Sequence, residues 1–182
     1  MQKHSDFKDF VEITPTAKLA VESHGGRAKC LQRLIRIDLP VPRTVALSFD
    51  AVHRMADGHL PDTKAILARF DADPLLSVRP SSEDPDWGGP GAVLNIGMND
   101  ARHAALAERI DRARANALYL RFVQGYAINV ARLDPDMFVA TEATDTALRE
   151  ALDTYEMETE EPFPQDPAVQ LAEVLRSMAR AW

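Results

Sequence analysis

Proline and glycine are unevenly distributed along this chain, and their distribution constrains the fold more than any other feature. Residues 102–131 contain no proline and a single glycine, Gly125. Apolar residues recur there at the spacing of one helix face, namely Leu106, Ile110, Ala113, Ala117, Leu120 and Val123. Before residue 100, short β-prone runs alternate with prolines and glycines, at residues 44–48, 75–79 and 92–96. The sequence therefore predicts an α+β fold in which an α/β lobe carries a helical lobe, with mostly helices after residue 100.

Further helices are predicted from apolar spacing and from residues that start or stop a helix. The first begins after Gly25-Gly26 and is ended by the Leu-Pro-Val-Pro run at residues 39–42. The others cover residues 49–55, 63–70, 144–155 and 166–182. The last of them begins with Asp-Pro, an acidic N-cap followed by proline in the first turn. The first fifteen residues are mixed in charge and are predicted to be partly loose. The acidic residues 156–161 are predicted to form a solvated loop.

The chain has 28 acidic and 21 basic residues among 182, so its net charge at pH 7 is −7. Dedicated nucleic-acid and anionic-membrane binders need basic surfaces, so neither nucleic acid nor a membrane is expected as a partner. No apolar run approaches the roughly 18 residues of a membrane span, and the N-terminus lacks the apolar core of a signal peptide. Cys30 is the one cysteine, which excludes a disulfide framework and a cysteine-based zinc site. We therefore expect a cytoplasmic globular protein, with Cys30 a small buried residue on its helix.

The first candidate site is the run Gly25, Gly26 and Arg27 at the start of a predicted helix. Backbone N–H groups at a helix N-terminus attract phosphate, and glycines let a ligand approach the backbone closely. The guanidinium of Arg27 can bind two phosphate oxygens at once. The spacing differs from that of a P-loop. The alternative interpretation is a plain turn into a basic surface helix.

The second candidate is Arg79, which follows a predicted buried strand and precedes a long polar loop at residues 80–91. Ligands of α/β lobes collect beyond the C-terminal ends of strands, and a cation there suits a phosphate or a carboxylate. The alternative for Arg79 is a structural ion pair with Glu83, Asp84 or Asp86. The loop is itself a candidate ligand-binding element, and a plain connection is its alternative.

No catalytic residues and no metal site are predicted. The five histidines are scattered, and none is paired at helical spacing with a carboxylate partner. They are interpreted as surface residues, with His24 left open because it adjoins Gly25. Cys30 has no identifiable base partner, so a nucleophilic role is not expected.

Four blocks of the sequence, occurring in a fixed order, carry a family resemblance. In the first block, residues 25–29 correspond to a G-G-K-G-A helix start and residues 39–44 to a G-[LI]-P-V-P-x-G-F segment. In the second, residues 75–79 correspond to L-L-V-S-V-R-S and residues 94–100 to L-N-L-G-L-N-D, and in the third, residues 119–126 correspond to Y-R-R-F-I-Q-M-Y. In the fourth, residues 163–171 and Trp182 correspond to F-P-Q-D-P, Q-L and a helix that ends in S-W. On these residues, positions 20–182 resemble the N-terminal nucleotide-binding region of the pyruvate phosphate dikinase family, an ATP-grasp-type family related to phosphoenolpyruvate synthase.

The resemblance implies an incomplete ATP-grasp-like α/β nucleotide-binding lobe made of residues 1–102 and 164–182, with a helical lobe of residues 103–163 inserted in it. Enzymes of this family are phosphotransferases that pass phosphate from ATP, through a phosphohistidine on a separate swivelling domain, to pyruvate. Bound ATP and Mg²⁺ are therefore implied here. The remaining dikinase domains, or a partner chain that supplies them, are the implied protein partners.

Individual site residues follow from the same resemblance. Arg27 takes the position of a phosphate-binding lysine next to Gly25 and Gly26, and Arg79 takes that of a phosphate-contacting arginine. The loop at residues 80–91 takes the place of a glycine- and methionine-rich loop that folds over the phosphates, and Gly88 is the residue that matches its S-M-P-G-M-M-D-T motif.

Departures from the family pattern leave three hypotheses for the chain. Arg27 replaces a lysine, the loop has lost its methionines and threonine, and Asp84 and Asp86 place negative charge near a triphosphate. The second half of the ATP-grasp unit and the phosphohistidine and pyruvate domains have no counterpart here, so phosphoryl transfer by this chain alone is not expected. The chain is then a region of a longer dikinase-like protein, a free-standing degenerate relative that binds an anion, or an interaction module without a ligand. An incomplete lobe also predicts self-association through an exposed apolar face.

Overall fold

A computed structural model describes residues 9–81 and 91–182 of the chain. Its helices are α1 (Val21–Arg36), α2 (Phe49–Ala56), α3 (Thr63–Leu67), α4 (Asp100–Arg109), α5 (Arg112–Asn129), α6 (Asp145–Thr159) and α7 (Pro167–Ala181). Its strands are β1 (Phe10–Glu12), β2 (Val45–Leu47), β3 (Leu76–Val78) and β4 (Val93–Ile96), which form two antiparallel pairs, β1 with β2 and β3 with β4. The predicted α+β class and the predominance of helix after residue 100 are confirmed.

The described part of the N-terminal segment contains a strand, so the prediction of a partly loose segment does not hold for residues 10–12. Strand β1 pairs with β2 in the register Phe10 to Leu47, and the Ile13 amide donates a hydrogen bond to the Thr44 carbonyl at 2.9 Å. The carboxylate of Asp9 also pairs with Arg54 of α2. These partners lie more than thirty residues away in the sequence, which is why local charge pattern gave no sign of them.

Helix α1 follows the predicted position but contains a kink. Gly25 has φ 81° and ψ 162°, and the regular helix continues beyond it to Arg36. The buried face of this helix carries Ala28 and Gln32, and the Gln32 amide donates to the carbonyl of Ala17 at 2.7 Å. Cys30 lies on the exposed side. The prediction that Cys30 is buried is therefore wrong, because the kink and the polar burial of Gln32 set which face of α1 points inward.

The apolar stripe of residues 102–131 forms two helices rather than one. Helix α4 ends before Ile110, and Asp111 caps α5 by accepting a hydrogen bond from the Arg114 amide at 2.7 Å. Helix α6 runs on to Thr159, so the predicted loop at residues 156–161 is wrong for its first four residues. The helix ends where Glu160 adopts a left-handed conformation, with φ 59°.

The central core is built around α5, which packs against β4, α4, α6 and α7. Phe163 lies at its middle, with ring centroids 5.1–6.0 Å from those of Tyr119, Phe122, Tyr126 and Tyr155. Burial of these aromatic rings supplies much of the hydrophobic stabilisation of the C-terminal half. None of the helices in the described ranges combines the length and apolarity that crossing a bilayer requires.

Helix α7 begins as predicted and is fixed at its first turns. The Asp166 carboxylate accepts a hydrogen bond from the Ala168 amide at 2.7 Å. One turn later, the fully buried amide of Gln170 accepts from the Gly97 N–H at 2.8 Å and donates to the carbonyls of Met98 and Pro164. These bonds hold α7 against the end of β4. The far end of α7 thereby reaches the candidate site.

Candidate functional site

A cleft of about 670 Å³ lies between helices α1, α2 and α7 and strands β2 and β3. Its walls are mainly apolar, and they include Phe49, Met55, Leu76 and Leu175. Polar and charged side chains also line it, namely His24, Arg27, Arg43, Thr44, Ser77, Arg79 and Ser81. The cleft therefore brings together the two arginines that the sequence analysis had named separately.

The two predicted glycines precede Arg27 and do different things. Gly25 is buried, and its φ of 81° with ψ of 162° belongs to a region that is essentially open to glycine alone. A Cβ atom added there would collide with the side chain of Ser81 and would lie 3.4 Å from Phe49 Cζ. A Cβ atom added at Gly26 would meet nothing within 4 Å in the described part of the chain. Gly25 thus lets the segment after β3 approach α1, whereas the space beside Gly26 is open.

Arg27 is exposed and ties α1 to the segment after β3. Its Nη1 donates a hydrogen bond to the Pro80 carbonyl at 2.9 Å. A guanidinium has five N–H donors, so this bond orients the group and leaves donors that can face the cleft. Arg27 therefore has a backbone partner, unlike a free surface arginine, and this partner occupies one of the N–H donors that a phosphate would otherwise use.

Arg79 follows directly after β3 and is exposed. Strand β3 is only half-buried, with Ser77 exposed, so the prediction that this strand is buried is wrong; its partner β4 takes the more buried place in the pair. Arg43, the third arginine of the cleft, pairs with the carboxylates of Glu12 and Asp71. Arg79 makes no ion pair with any residue in 9–81 or 91–182. Within those ranges, it is the cleft arginine whose charge is most available to a ligand.

The remaining predicted site residue, Gly88, lies outside the described residues. The same holds for Glu83, Asp84 and Asp86, so the alternative interpretation of Arg79, an ion pair with one of them, is not tested by the described residues. The proposed role of the loop over bound phosphates also stays a prediction.

Trp182, which the family resemblance named only as the end of the last helix, also lines the cleft. Its ring stacks on Phe49 with centroids 5.3 Å apart, and the edge of the His53 ring lies 5.0 Å away. Its indole Nε1–H donates a hydrogen bond to the Ser81 carbonyl at 3.0 Å. The signal in the sequence for a role of Trp182 was a large aromatic residue at the end of an amphipathic helix. Its hydrogen-bond partner, a backbone carbonyl, cannot be identified from the sequence.

The positive charge of the cleft comes from its arginines and not from its histidine. His24 is half-buried, its Nδ1 lies 2.8 Å from Ser23 Oγ, and burial lowers the pKa of its imidazole below the ordinary 6.5. At neutral pH the ring is therefore uncharged. In residues 9–81 and 91–182, His, Cys, Asp and Glu side chains form no group of three or more that could hold a metal ion.

Comparison with known proteins gives two distant relatives, while no family model matches the chain. A pyruvate, phosphate dikinase of Entamoeba histolytica is 25% identical over 195 aligned residues, which cover 87% of this chain and 22% of that protein. A pyruvate, phosphate dikinase of Rhizobium meliloti is 32% identical over 127 residues, which cover 59% of this chain and 14% of that protein. The chain spans about a fifth or less of the length of these relatives. It is similar, at a distance, to a region of proteins named pyruvate, phosphate dikinase.

Proposed function

We propose that the chain is a nucleotide-binding region of a pyruvate phosphate dikinase-like protein and that it binds the phosphates of ATP in the cleft between α1, α2 and α7. The observation that carries the proposal is that Arg27 and Arg79 both line this cleft. The similarity to two dikinases supports the same conclusion. The ATP-grasp-like arrangement, with residues 1–102 and 164–182 in one lobe and 103–163 inserted, and a cytoplasmic location belong to the proposal.

Phosphate recognition in the cleft follows from charge and geometry. The guanidinium of Arg79 supplies a positive charge beyond the end of β3, and Arg27 supplies a second one that its bond to Pro80 orients. The helix restarts after the kink at Gly25, and the N-terminal end of a helix favours an anion through its N–H groups and its dipole. Two guanidinium groups and a helix start together offset the negative charge of a di- or triphosphate.

Mg²⁺ enters this proposal as part of the Mg–ATP complex. No carboxylate cluster in the described ranges is suited to hold the ion by itself, so no side chain of this chain is assigned as its ligand. When bound with ATP, Mg²⁺ neutralises part of the phosphate charge. The role of Arg27 and Arg79 is then to bind and orient the phosphates.

Binding without turnover is the second part of the proposal. The relatives are at least four times longer than the stretch that this chain matches, so the reaction of a whole dikinase draws on groups outside these residues. We expect this chain alone to bind nucleotide and to leave pyruvate unphosphorylated. The remaining dikinase domains, in the same chain or a partner chain, would complete the transfer.

Isothermal titration calorimetry with Mg–ATP tests the proposal, using Arg79→Ala and the matched control Arg33→Ala. Both changes remove one exposed arginine, and Arg33 lies on α1 away from the cleft lining. A charge-assisted hydrogen bond contributes about 1.5–3 kcal/mol, so Arg79→Ala should weaken binding by about tenfold or more. Arg33→Ala should leave the affinity within about twofold of the original. Equal effects of the two variants would contradict the assignment of Arg79.

A non-catalytic anion-binding or protein-interaction module is the second candidate, and the apolar character of most of the cleft wall favours its protein-interaction form. Self-association through an exposed apolar face is a separate proposal, which follows from the incomplete lobe. Large apolar side chains are exposed individually, with Val139 at 70%, Met157 at 68% and Ile37 at 67%. Sedimentation velocity at several concentrations tests this expectation. A single monomer boundary at all concentrations would contradict it.

A further inference from the structure

The end of α7 is bound to the cleft by Trp182 through two kinds of contact. Its ring stacks on Phe49 of α2 at a centroid distance of 5.3 Å, with 26° between the ring planes. Its indole N–H donates to the Ser81 carbonyl at 3.0 Å. The stacking fixes the position of the indole, and the hydrogen bond from the fixed indole restrains the backbone after β3.

The segment after β3 is held at residues 80 and 81 by two hydrogen bonds and lies close to the backbone of α1. Arg27 of α1 donates to the Pro80 carbonyl, Trp182 donates to the Ser81 carbonyl, and Gly25 leaves room for the Ser81 side chain. Arg27 and Gly25 belong to α1, whereas Trp182 follows the last residue of α7, so the two hydrogen bonds come from two different helices. Strand β3 itself supplies only three residues and ends at Val78. The backbone at Arg79 therefore depends on the anchors that follow it as well as on the sheet.

We infer that Trp182 is a positioning residue of the phosphate site, which holds Arg79 in the cleft by fixing the Ser81 carbonyl. The inference rests on the proposed function, because it assumes that Arg79 binds an anion. Arg79 lies between the last residue of β3 and the two anchored carbonyls, so its Cα is restrained on both sides. Without the indole N–H, one of these restraints is lost, and binding must then order a more mobile backbone.

Trp182→Phe separates the hydrogen bond from the stacking. Phenylalanine keeps an aromatic ring against Phe49 and removes the Nε1–H donor to Ser81. A single neutral hydrogen bond implies a loss of Mg–ATP affinity of about three- to tenfold. Because the ring contact is largely kept, the thermal unfolding midpoint should fall by no more than about 5 °C.

The test combines calorimetry with hydrogen exchange of the full chain, using Mg–ATP as the probe. The inference predicts a three- to tenfold weaker affinity, faster amide exchange in the peptide that covers residues 75–81, and an unchanged exchange pattern in α5. Unaltered affinity in Trp182→Phe, with the original chain binding, would overturn the inference and leave the proposed function standing. A drop in affinity that comes with faster exchange throughout the chain would also overturn it, since the role would then be structural. Absence of binding in the original chain overturns the proposed function, and the inference falls with it, whatever the exchange at residues 75–81 shows.

Discussion

Replacing Gly25 by alanine tests how the segment after β3 packs against α1 at the candidate site. Its φ of 81° and ψ of 162° lie in a region that side-chain-bearing residues avoid, at a cost of about 1–3 kcal/mol. Rotation of the Ser81 hydroxyl relieves the worst contact, but Ser81 Cβ at 3.2 Å and Phe49 Cζ at 3.4 Å still crowd the new methyl group. We expect Gly25→Ala to lower the free energy of unfolding by about 2–4 kcal/mol.

Gly26→Ala is the matched control, because the same chemical change is made one residue further along. Nothing in the described part of the chain lies within 4 Å of the added Cβ, and alanine favours helix over glycine by about 0.5–1 kcal/mol. Gly26→Ala should therefore be as stable as the original chain or slightly more stable.

Thermal and urea unfolding, followed by circular dichroism, measure both variants. For a chain of this size the expected loss corresponds to a melting temperature about 5–15 °C lower for Gly25→Ala and unchanged or higher for Gly26→Ala. Equal stability of the two variants would refute the argument that the backbone at Gly25 requires glycine. A larger loss of stability in Gly26→Ala than in Gly25→Ala would show that the close approach of Ser81 and Phe49 to α1 does not occur at Gly25.

Two further predictions concern a buried amide and a histidine of the cleft. Gln170→Leu leaves the Gly97 N–H and the Met98 and Pro164 carbonyls without their partner, so urea unfolding should show a loss of about 3 kcal/mol or more, and an unchanged midpoint would contradict this. Burial lowers the pKa of His24, and a bound anion raises it again, so sulfate should bind more tightly as the pH falls from about 7.5 to about 5.5. His24→Asn should flatten this dependence in calorimetric titrations, and an equally steep dependence in the variant would rule out His24 as its source.

The elements that the sequence predicted correctly are those whose signals are local. Helix α7 starts where an acidic N-cap precedes a proline, and β2, β3 and β4 coincide with short β-prone runs. Strand β1 was missed because its hydrogen bonds are made with β2, far along the chain. The break before α5 was missed because the apolar stripe continues through Ile110, although Asp111 carries a helix-capping side chain. The end of α6 was placed too early because its exposed acidic residues resemble a loop in composition while still favouring helix.

The candidate site was predictable in its charges and not in its connections. Glycines before a helix and a cation after a strand pointed to Arg27 and Arg79, but only the tertiary structure places both side chains on one cleft. The bonds from Arg27 to Pro80 and from Trp182 to Ser81 end on backbone carbonyls. Every residue has such a carbonyl, so sequence alone gives no means of choosing between them.

Competition calorimetry tests most directly whether the cleft recognises the phosphates of a nucleotide. The chain is titrated with Mg–ATP alone, then in the presence of excess inorganic tripolyphosphate, and then in the presence of excess adenosine. Binding through Arg27 and Arg79 predicts that tripolyphosphate suppresses the heat of Mg–ATP binding and that adenosine does not. Suppression by adenosine with no effect of tripolyphosphate, or no heat at millimolar Mg–ATP, would contradict the account.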